Sequence, residues 1–155
     1  MAFKDTFKFW THGVNVQVEY SKEATGRDNG LYIRRAGFGT IIRQRGGTWN
    51  WFHFAIPSAT KLDDDNVKRQ HAWLRGKINN FATIKQVTVH EAKGGSDCPR
   101  IYNNNLNLTG RELNESFDLP DRVCKGPLVM CVRVEFEDDR GEVVFCGAGA
   151  WFEEQ

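Results

Sequence analysis

The stretch GGTWNWFHFAIP, residues 46–57, decides the fold, because its side chains divide cleanly between the two faces of one β-strand. Two glycines precede the aromatic run and a proline ends it, as is typical of strand boundaries. The apolar face carries Phe52, Phe54 and Ile56. The opposite face carries Trp49, Trp51 and His53. We expect the first set in a core; the surroundings of the second set decide between a binding surface and covered packing.

Short runs with the same two-residue alternation continue along the chain. Beyond the opening stretch, the predicted strands are residues 10–20, 31–42, 82–92, 100–110, 115–120, 127–136 and 143–152. Turn residues separate these runs, and helices do not alternate with them. The pattern predicts an all-β fold, a two-sheet antiparallel β-sandwich, of which a jelly roll is one arrangement.

Three segments carry more specific expectations. The apolar residues of 66–80 follow neither the two-residue period of a strand nor the 3.6-residue period of a helix well. We favour a strand, because a lone helix would have no partner face. Gly37 and Gly39 interrupt their strand and predict a bulge or a close backbone approach. Residues 137–142, EDDRGE, predict a hairpin turn between the last two strands.

Composition limits the classes of function. With 21 basic and 20 acidic residues the net charge is +1, which gives no basic field for nucleic acid or an anionic membrane surface. No apolar run approaches the roughly 20 residues of a membrane-spanning helix, and the first residues lack the apolar segment of a secretory signal. We therefore expect one cytoplasmic domain over residues 1–155, with residues 1–8 as an N-terminal extension.

The four cysteines form no CxxC pair, so a zinc ribbon or a thioredoxin motif is not indicated. They are Cys98, Cys124, Cys131 and Cys146. In a cytoplasmic protein we expect reduced thiols. In an oxidising compartment Cys131 and Cys146 would be the candidates for a disulfide bond, because a short turn joins their strands.

Four motifs together resemble an uncharacterised bacterial domain family. They are WTHGVNVQVEY (10–20), RRAGFGT (34–40), NWFHFAIP (50–57) and FDLPDR (117–122). The resemblance covers most of the chain from Trp10 onward and implies a small, mainly-β domain with no assigned activity. The chain departs from the family pattern in the longer loop 21–30 and in the more basic, polar residues 61–80.

The tryptophan side of the opening stretch is the main candidate site. Exposed indole rings stack on sugar rings or other flat apolar groups, and a polar neighbour such as His53 or Asn50 would fix the orientation of a ligand. The ligand-binding candidates are therefore Trp49, Asn50, Trp51 and His53. The alternative is that loops cover this side and the rings only pack.

A metal or cofactor has weaker support. Asp63, Asp64 and Asp65 offer oxygen ligands of the kind that calcium prefers, but the EF-hand pattern is absent and we favour a solvated acidic turn. The histidines lack HxH or HxxxH spacing, and no nucleophile motif such as GxSxG occurs. We expect no cofactor.

These observations favour a non-enzymatic, lectin-like binding module whose partner is a carbohydrate or another protein. The alternative is a structural or interaction domain that forms a homo-oligomer through its β surface. An enzyme would require a pocket that brings a histidine within hydrogen-bond reach of an acid or a cysteine.

Overall fold

Strands form most of the described chain; the computed structural model describes residues 5–62 and 64–155. Its strands are β1 Thr6–His12, β2 Gln17–Val18, β3 Tyr32–Ala36, β4 Gly39–Arg43, β5 Thr48–Ile56, β6 Lys61–Leu62, β7 Asp65–Ile78, β8 Ala82–Glu91, β9 Arg100–Leu108, β10 Arg111–Val123, β11 Leu128–Phe136 and β12 Glu142–Glu154. A 3₁₀ turn covers Gly13–Asn15, and a one-turn helix, α1, covers Lys22–Thr25. Within these two ranges, no helix has the length and hydrophobicity that a bilayer crossing requires.

Two antiparallel sheets pack face to face in the arrangement of a jelly roll. The first sheet has the order β10-β7-β12-β4-β3, with β1 also paired to β12 and β6 to β7. The second sheet has the order β2-β5-β11-β8-β9. From β4 onward, every connection changes sheets except β6–β7 and β8–β9. The all-β, two-sheet sandwich expected from the sequence is confirmed.

The core between the sheets is rich in phenylalanine. Phe52, Phe54 and Ile56 of β5 are 0%, 0% and 2% exposed, as their alternation predicted. Phe145 of β12 packs against Phe52 and Phe54, with ring centroids 5.4 and 5.2 Å apart. Such tilted and edge-on pairs each add about 0.5–1.5 kcal/mol beyond the apolar area that they bury.

Strand β12 changes neighbours halfway along one edge. Its first residues pair with β4 and its later residues pair with β1, so both partners end near Phe145 and Cys146. A Cβ atom on Gly13 or Gly39 would overlap the Phe145 carbonyl oxygen. Thr40 Oγ1 donates to the Gly13 carbonyl at 2.8 Å and closes this junction. The close backbone approach expected at Gly39 is therefore confirmed. It is wrong at Gly37, and the strand predicted over residues 31–42 is two strands, β3 and β4, paired around a turn at residues 37–38.

The strand predicted over residues 10–20 is wrong in extent. Strand β1 ends at His12 in the first sheet, and β2 begins at Gln17 in the second sheet. The 3₁₀ turn Gly13–Asn15 carries the chain from one sheet to the other. The alternation looks unbroken because Trp10, on the outward side of β1, continues the even-numbered series of Val16 and Val18, which point inward.

The expected N-terminal extension over residues 1–8 is wrong for residues 6–8. These residues belong to β1 and pair with the C-terminal end of β12. Phe7 and Phe9 pack against Phe152, with ring centroids 6.3 and 5.7 Å away, so the start of the chain is part of the apolar packing.

The hairpin expected at residues 137–142 is also wrong. The turn is tight, but β11 lies in the second sheet and β12 in the first, so the chain arches over the core. Cys131 and Cys146 consequently lie on different sheets, and both are free thiols. A short turn cannot distinguish a hairpin from such an arch when both strands alternate regularly.

Strand β7 confirms the strand expected over residues 66–80. Its pairing with β12 skips Gln70, and this bulge shifts the alternation by one residue. Arg69 points inward before the bulge, whereas Ala72 and Leu74 point inward after it. This bulge explains why residues 66–80 follow neither the strand period nor the helix period throughout.

A buried ion pair links the two sheets at one end of the sandwich. Arg69 Nη1 of β7 lies 2.9 Å from Glu91 Oε2 of β8, and the two side chains are 5% and 0% exposed. Glu91 Oε1 accepts a hydrogen bond from the Lys125 backbone at 2.7 Å, and Arg69 Nη1 donates to the Val123 carbonyl at 3.2 Å. The pair thus fixes the connection between β10 and β11 against both sheets.

Candidate functional site

The tryptophan side of β5 points outward from the second sheet. We call this surface the aromatic face; its members on β5 are Trp49, Trp51 and His53. Trp49 is 43% exposed, and Trp51 and His53 are half-buried. Buried and accessible residues alternate along all of β5, so over the described ranges this face is open to solvent.

A shallow groove of about 210 Å³ crosses the aromatic face. Its β5 side is formed by Trp51 and His53. Its opposite side is formed by four polar residues of β8 and β9, namely Gln86, Thr88, His90 and Arg100. Strand β11 lies between the two sides and contributes Cys131. The groove therefore combines an indole ring with several hydrogen-bonding groups.

Trp51 is the aromatic residue of this face whose ring is least engaged. Trp49 meets Tyr20 edge-on at 5.3 Å and 88°, and the Arg133 guanidinium lies 4.7 Å from its ring centroid. Trp51 has no aromatic or cationic partner of this kind among residues 5–62 and 64–155. Its ring is therefore free to stack on a ligand in the groove.

A second cavity, of about 500 Å³, lies at the Trp49 end of the aromatic face. Its walls include Tyr20, Trp49 and Arg27. The neighbouring loop is shaped by α1, where Ser21 caps the helix start and Gly26 ends it with a φ of 71°. The long loop 21–30 thus builds one wall of a cavity.

Glu19 joins the groove to the second cavity. Its Oε1 lies 2.9 Å from His53 Nε2, and both side chains are partly exposed. A hydrogen bond with the Glu19 carboxylate also raises the pKa of the neighbouring Tyr20 hydroxyl above its ordinary value. The carboxylate therefore orients His53 on one side and Tyr20 on the other.

Asn50 is a correction to the predicted site. It lies on the core side of β5, is 0% exposed, and accepts hydrogen bonds at Oδ1 from the backbone of Tyr20 and Trp51 at 3.0 and 2.9 Å. Its Nδ2 donates to Gln44 Oε1 at 2.9 Å. The side chain supports the strand and the loop from below, and a ligand on the aromatic face cannot reach it.

The structure does not bring the predicted metal ligands together. Asp63 lies outside the described residues, and Asp65 hydrogen-bonds with Glu154, which raises the pKa of Glu154. Asp64 is exposed, with a φ of 71°. In the part of the chain that the structure describes, no group of three or more potential ligands could hold a metal ion.

A tryptophan column that no local sequence pattern predicts lies on the outer side of the first sheet. Trp10 and Trp73 stack at 4.9 Å and 12°, and Trp73 and Trp151 at 6.3 Å and 18°. Trp10 and Trp73 both flank Gly149 in the pairing, and the missing side chain leaves room for their rings. Three distant segments form the column, so only the strand register could reveal it.

Two cations also contact the rings of this column. The Arg75 guanidinium lies 4.7 Å from the Trp10 centroid, and Lys8 Nζ lies 5.2 Å from the Trp73 centroid. Because the rings already face one another or a cation, the column is a packed element that fastens β1 to the sheet. The aromatic face is the better ligand platform.

The cysteines should differ in their reaction with iodoacetamide near neutral pH. Burial raises the pKa of the Cys131 thiol above its ordinary value, against a smaller opposing effect of its hydrogen bond with Thr88, so little thiolate forms. Exposed Cys98 and Cys146 should react first, with Cys131 at least several-fold slower. Mass spectrometry of the alkylated peptides measures the order. Reaction of Cys131 as fast as Cys98 would contradict the packing of the groove.

Comparison with solved structures gives a similar fold at very low sequence identity. The CBM36-1 domain of a multidomain xylanase from the hindgut metagenome of Trinervitermes trinervoides superposes with a TM-score of 0.50 and 7% identity, covering 93% of this chain and 96% of that one. A family 29 carbohydrate-binding module from Piromyces equi has a TM-score of 0.47 and 7% identity, covering 93% and 90%. The low-affinity xylan-binding module CBM86 from Roseburia intestinalis has a TM-score of 0.47 and 11% identity, covering 99% and 97%.

Sequence comparison identifies the family. No curated protein sequence matches the chain. A model described as a family of unknown function, DUF6623, matches residues 5–146, which agrees with the uncharacterised family expected from the motifs. The chain therefore belongs to the DUF6623 family of unknown function.

Proposed function

We propose that the protein is a non-catalytic carbohydrate-binding domain whose ligand lies along the aromatic face, in the groove beside Trp51. The unstacked Trp51 ring at the side of a polar groove carries this proposal. A sugar ring has an apolar face of C–H groups, which packs on an indole, and a rim of hydroxyl groups, which need donors and acceptors.

The other side of the groove supplies such groups. Gln86 Nε2 donates to Asn103 Oδ1 at 2.7 Å, so the two amides hold each other in fixed orientation on β8 and β9. Thr88 and the His53–Glu19 pair add a hydroxyl, an imidazole and a carboxylate. Preorganised planar groups of this kind lose little conformational entropy when they bind sugar hydroxyls.

The fold is compatible with this function but does not establish it, because one fold hosts many functions. The CBM36-1 domain has a similar β-sandwich fold, and its name places it among the carbohydrate-binding modules. At 7% identity the likeness extends to the fold alone, so the argument rests on the side chains of the aromatic face.

Catalysis by the same residues is the competing interpretation. His53 lies within hydrogen-bond distance of Glu19, and Cys131 is its partner across the sheet. A cysteine nucleophile needs a lowered pKa, whereas burial raises the pKa of Cys131. We therefore assign His53 and Glu19 to ligand orientation, and Cys131→Ser should leave binding unchanged.

Trp51→Ala should weaken glycan binding roughly 5- to 150-fold, because one stacking ring contributes about 1–3 kcal/mol in comparable contacts. Glycan-array screening followed by calorimetry on the best oligosaccharide measures the effect. Tyr32→Ala is the matched control, since Tyr32 is 45% exposed on β3 of the other sheet. Circular dichroism should show both variants folded.

Two results would overturn the proposal. One is undiminished glycan binding by Trp51→Ala. The other is a stable homodimer in size-exclusion chromatography that dissociates on Trp51→Ala, which would favour a protein-interaction surface over a glycan site.

A further inference from the structure

The charged groups of the aromatic face are not all paired. Each acid there is already paired: Glu19 lies 2.9 Å from His53, and Glu135 lies 3.0 Å from Arg133. Two arginines at the rim of this face have no such partner. Over the described ranges, the side chains of Arg27 and Arg100 form neither a hydrogen bond nor an ion pair.

Resting on the proposed function, we infer that the glycan is anionic and carries carboxylate groups, and that Arg27 and Arg100 bind them. A guanidinium presents its N–H groups in a planar fork that matches both oxygens of a carboxylate. Each arginine also lines a concave surface that includes an indole ring of the aromatic face. A uronic acid residue offers the apolar ring face and the carboxylate together.

Nearby acids do not form ion pairs with these two arginines. The Asp28 carboxylate, next to Arg27 in sequence, accepts the Gly30 backbone N–H at 2.9 Å and closes the turn. Within α1, Lys22 and Glu23 offset each other. The Arg27 guanidinium therefore has no ion-pair partner among the described acids beside the second cavity.

The positions of the two arginines set the size of the ligand. Arg100 pairs with His90, which is level with Val129 and Ala55 across the second sheet. Arg27 lies at the opposite end, beside Trp49. Trp49 and Ala55 are six residues apart on one strand, or about 20 Å at the rise of a β-strand. A single sugar cannot reach both arginines, whereas a chain with repeated uronate units can.

The test compares three probes on the full chain: galacturonic acid oligomers, glucose oligomers of the same length, and dextran sulfate. The galacturonic acid oligomers should bind best, and added salt should weaken them selectively. Arg27→Gln and Arg100→Gln should each lower that affinity roughly tenfold, because each removes a charge-assisted hydrogen bond. Arg34→Gln is the matched control and should change nothing, because Arg34 is exposed on β3 of the other sheet.

The outcomes separate this inference from the proposed function. Equal binding of charged and neutral oligomers, lost in Trp51→Ala but not in the arginine variants, would overturn the uronate assignment and leave the glycan site intact. Preference for dextran sulfate over galacturonate would overturn the carboxylate assignment. Binding of none of the probes, with no hit on a broad glycan array, would overturn both.

Discussion

Glu91→Ala is expected to lower the free energy of unfolding by about 3–5 kcal/mol, the usual cost of leaving one member of a buried ion pair without its partner. Glu91 is 0% exposed, and Arg69 would remain in the core with its charge. Arg69 Nε already lacks a hydrogen-bond partner in the described chain. We therefore expect no neighbouring group to replace the Glu91 carboxylate as the partner of the Arg69 guanidinium. The Lys125 backbone N–H would lose its acceptor as well.

Urea unfolding followed by tryptophan fluorescence measures this effect. Glu135→Ala is the control. Glu135 also pairs with an arginine, since Arg133 Nη1 lies 3.0 Å from Glu135 Oε1, but this pair is partly exposed. Its cost should stay below about 1 kcal/mol. The double replacement Arg69→Met with Glu91→Leu should recover most of the lost stability, since apolar residues of similar volume often replace a buried pair without cost. Equal losses for Glu91→Ala and Glu135→Ala would refute this assignment.

Local alternation was enough to predict the class of fold. Along β5 and β11 every second side chain is buried, and these strands lie at the centre of a sheet. Periodicity fails where the chain changes sheets or bulges, because such events depend on tertiary pairing. Gly13 and Gln70 mark two such points, and neither residue interrupts its local pattern strongly enough to be recognised.

The candidate site could be predicted only on its β5 side. The two-residue alternation of β5 predicts that Trp51 and His53 point away from the core, and in the structure they do. Gln86 and Arg100 complete the groove from strands that are distant in sequence, and their place follows from the jelly-roll order. Asn50 was assigned to the site by its chemistry alone, although its position in the alternation already pointed it inward.

Gly13→Ala is expected to destabilise the protein by about 3 kcal/mol, the upper end of the usual cost of overpacking, because the new methyl group meets backbone. Its Cβ would overlap the carbonyl group of Phe145 in the central strand β12. A flexible side chain could move aside, but this carbonyl belongs to the junction of β1, β4 and β12. Displacing Gly13 would also strain its hydrogen bond from Thr40.

Gly37→Ala provides the matched comparison, because nothing lies within 4 Å of a Cβ built there. That variant should be neutral or gain about 0.4–1 kcal/mol, since alanine restricts the unfolded chain more than glycine does. The denaturation midpoints of the two variants, measured side by side, give the difference directly. Because one methyl group is added in each case, a large difference can come only from the surroundings. If Gly13→Ala unfolds at the same urea concentration as Gly37→Ala, the junction at Phe145 is not the rigid point at which β1 and β4 share one edge of β12.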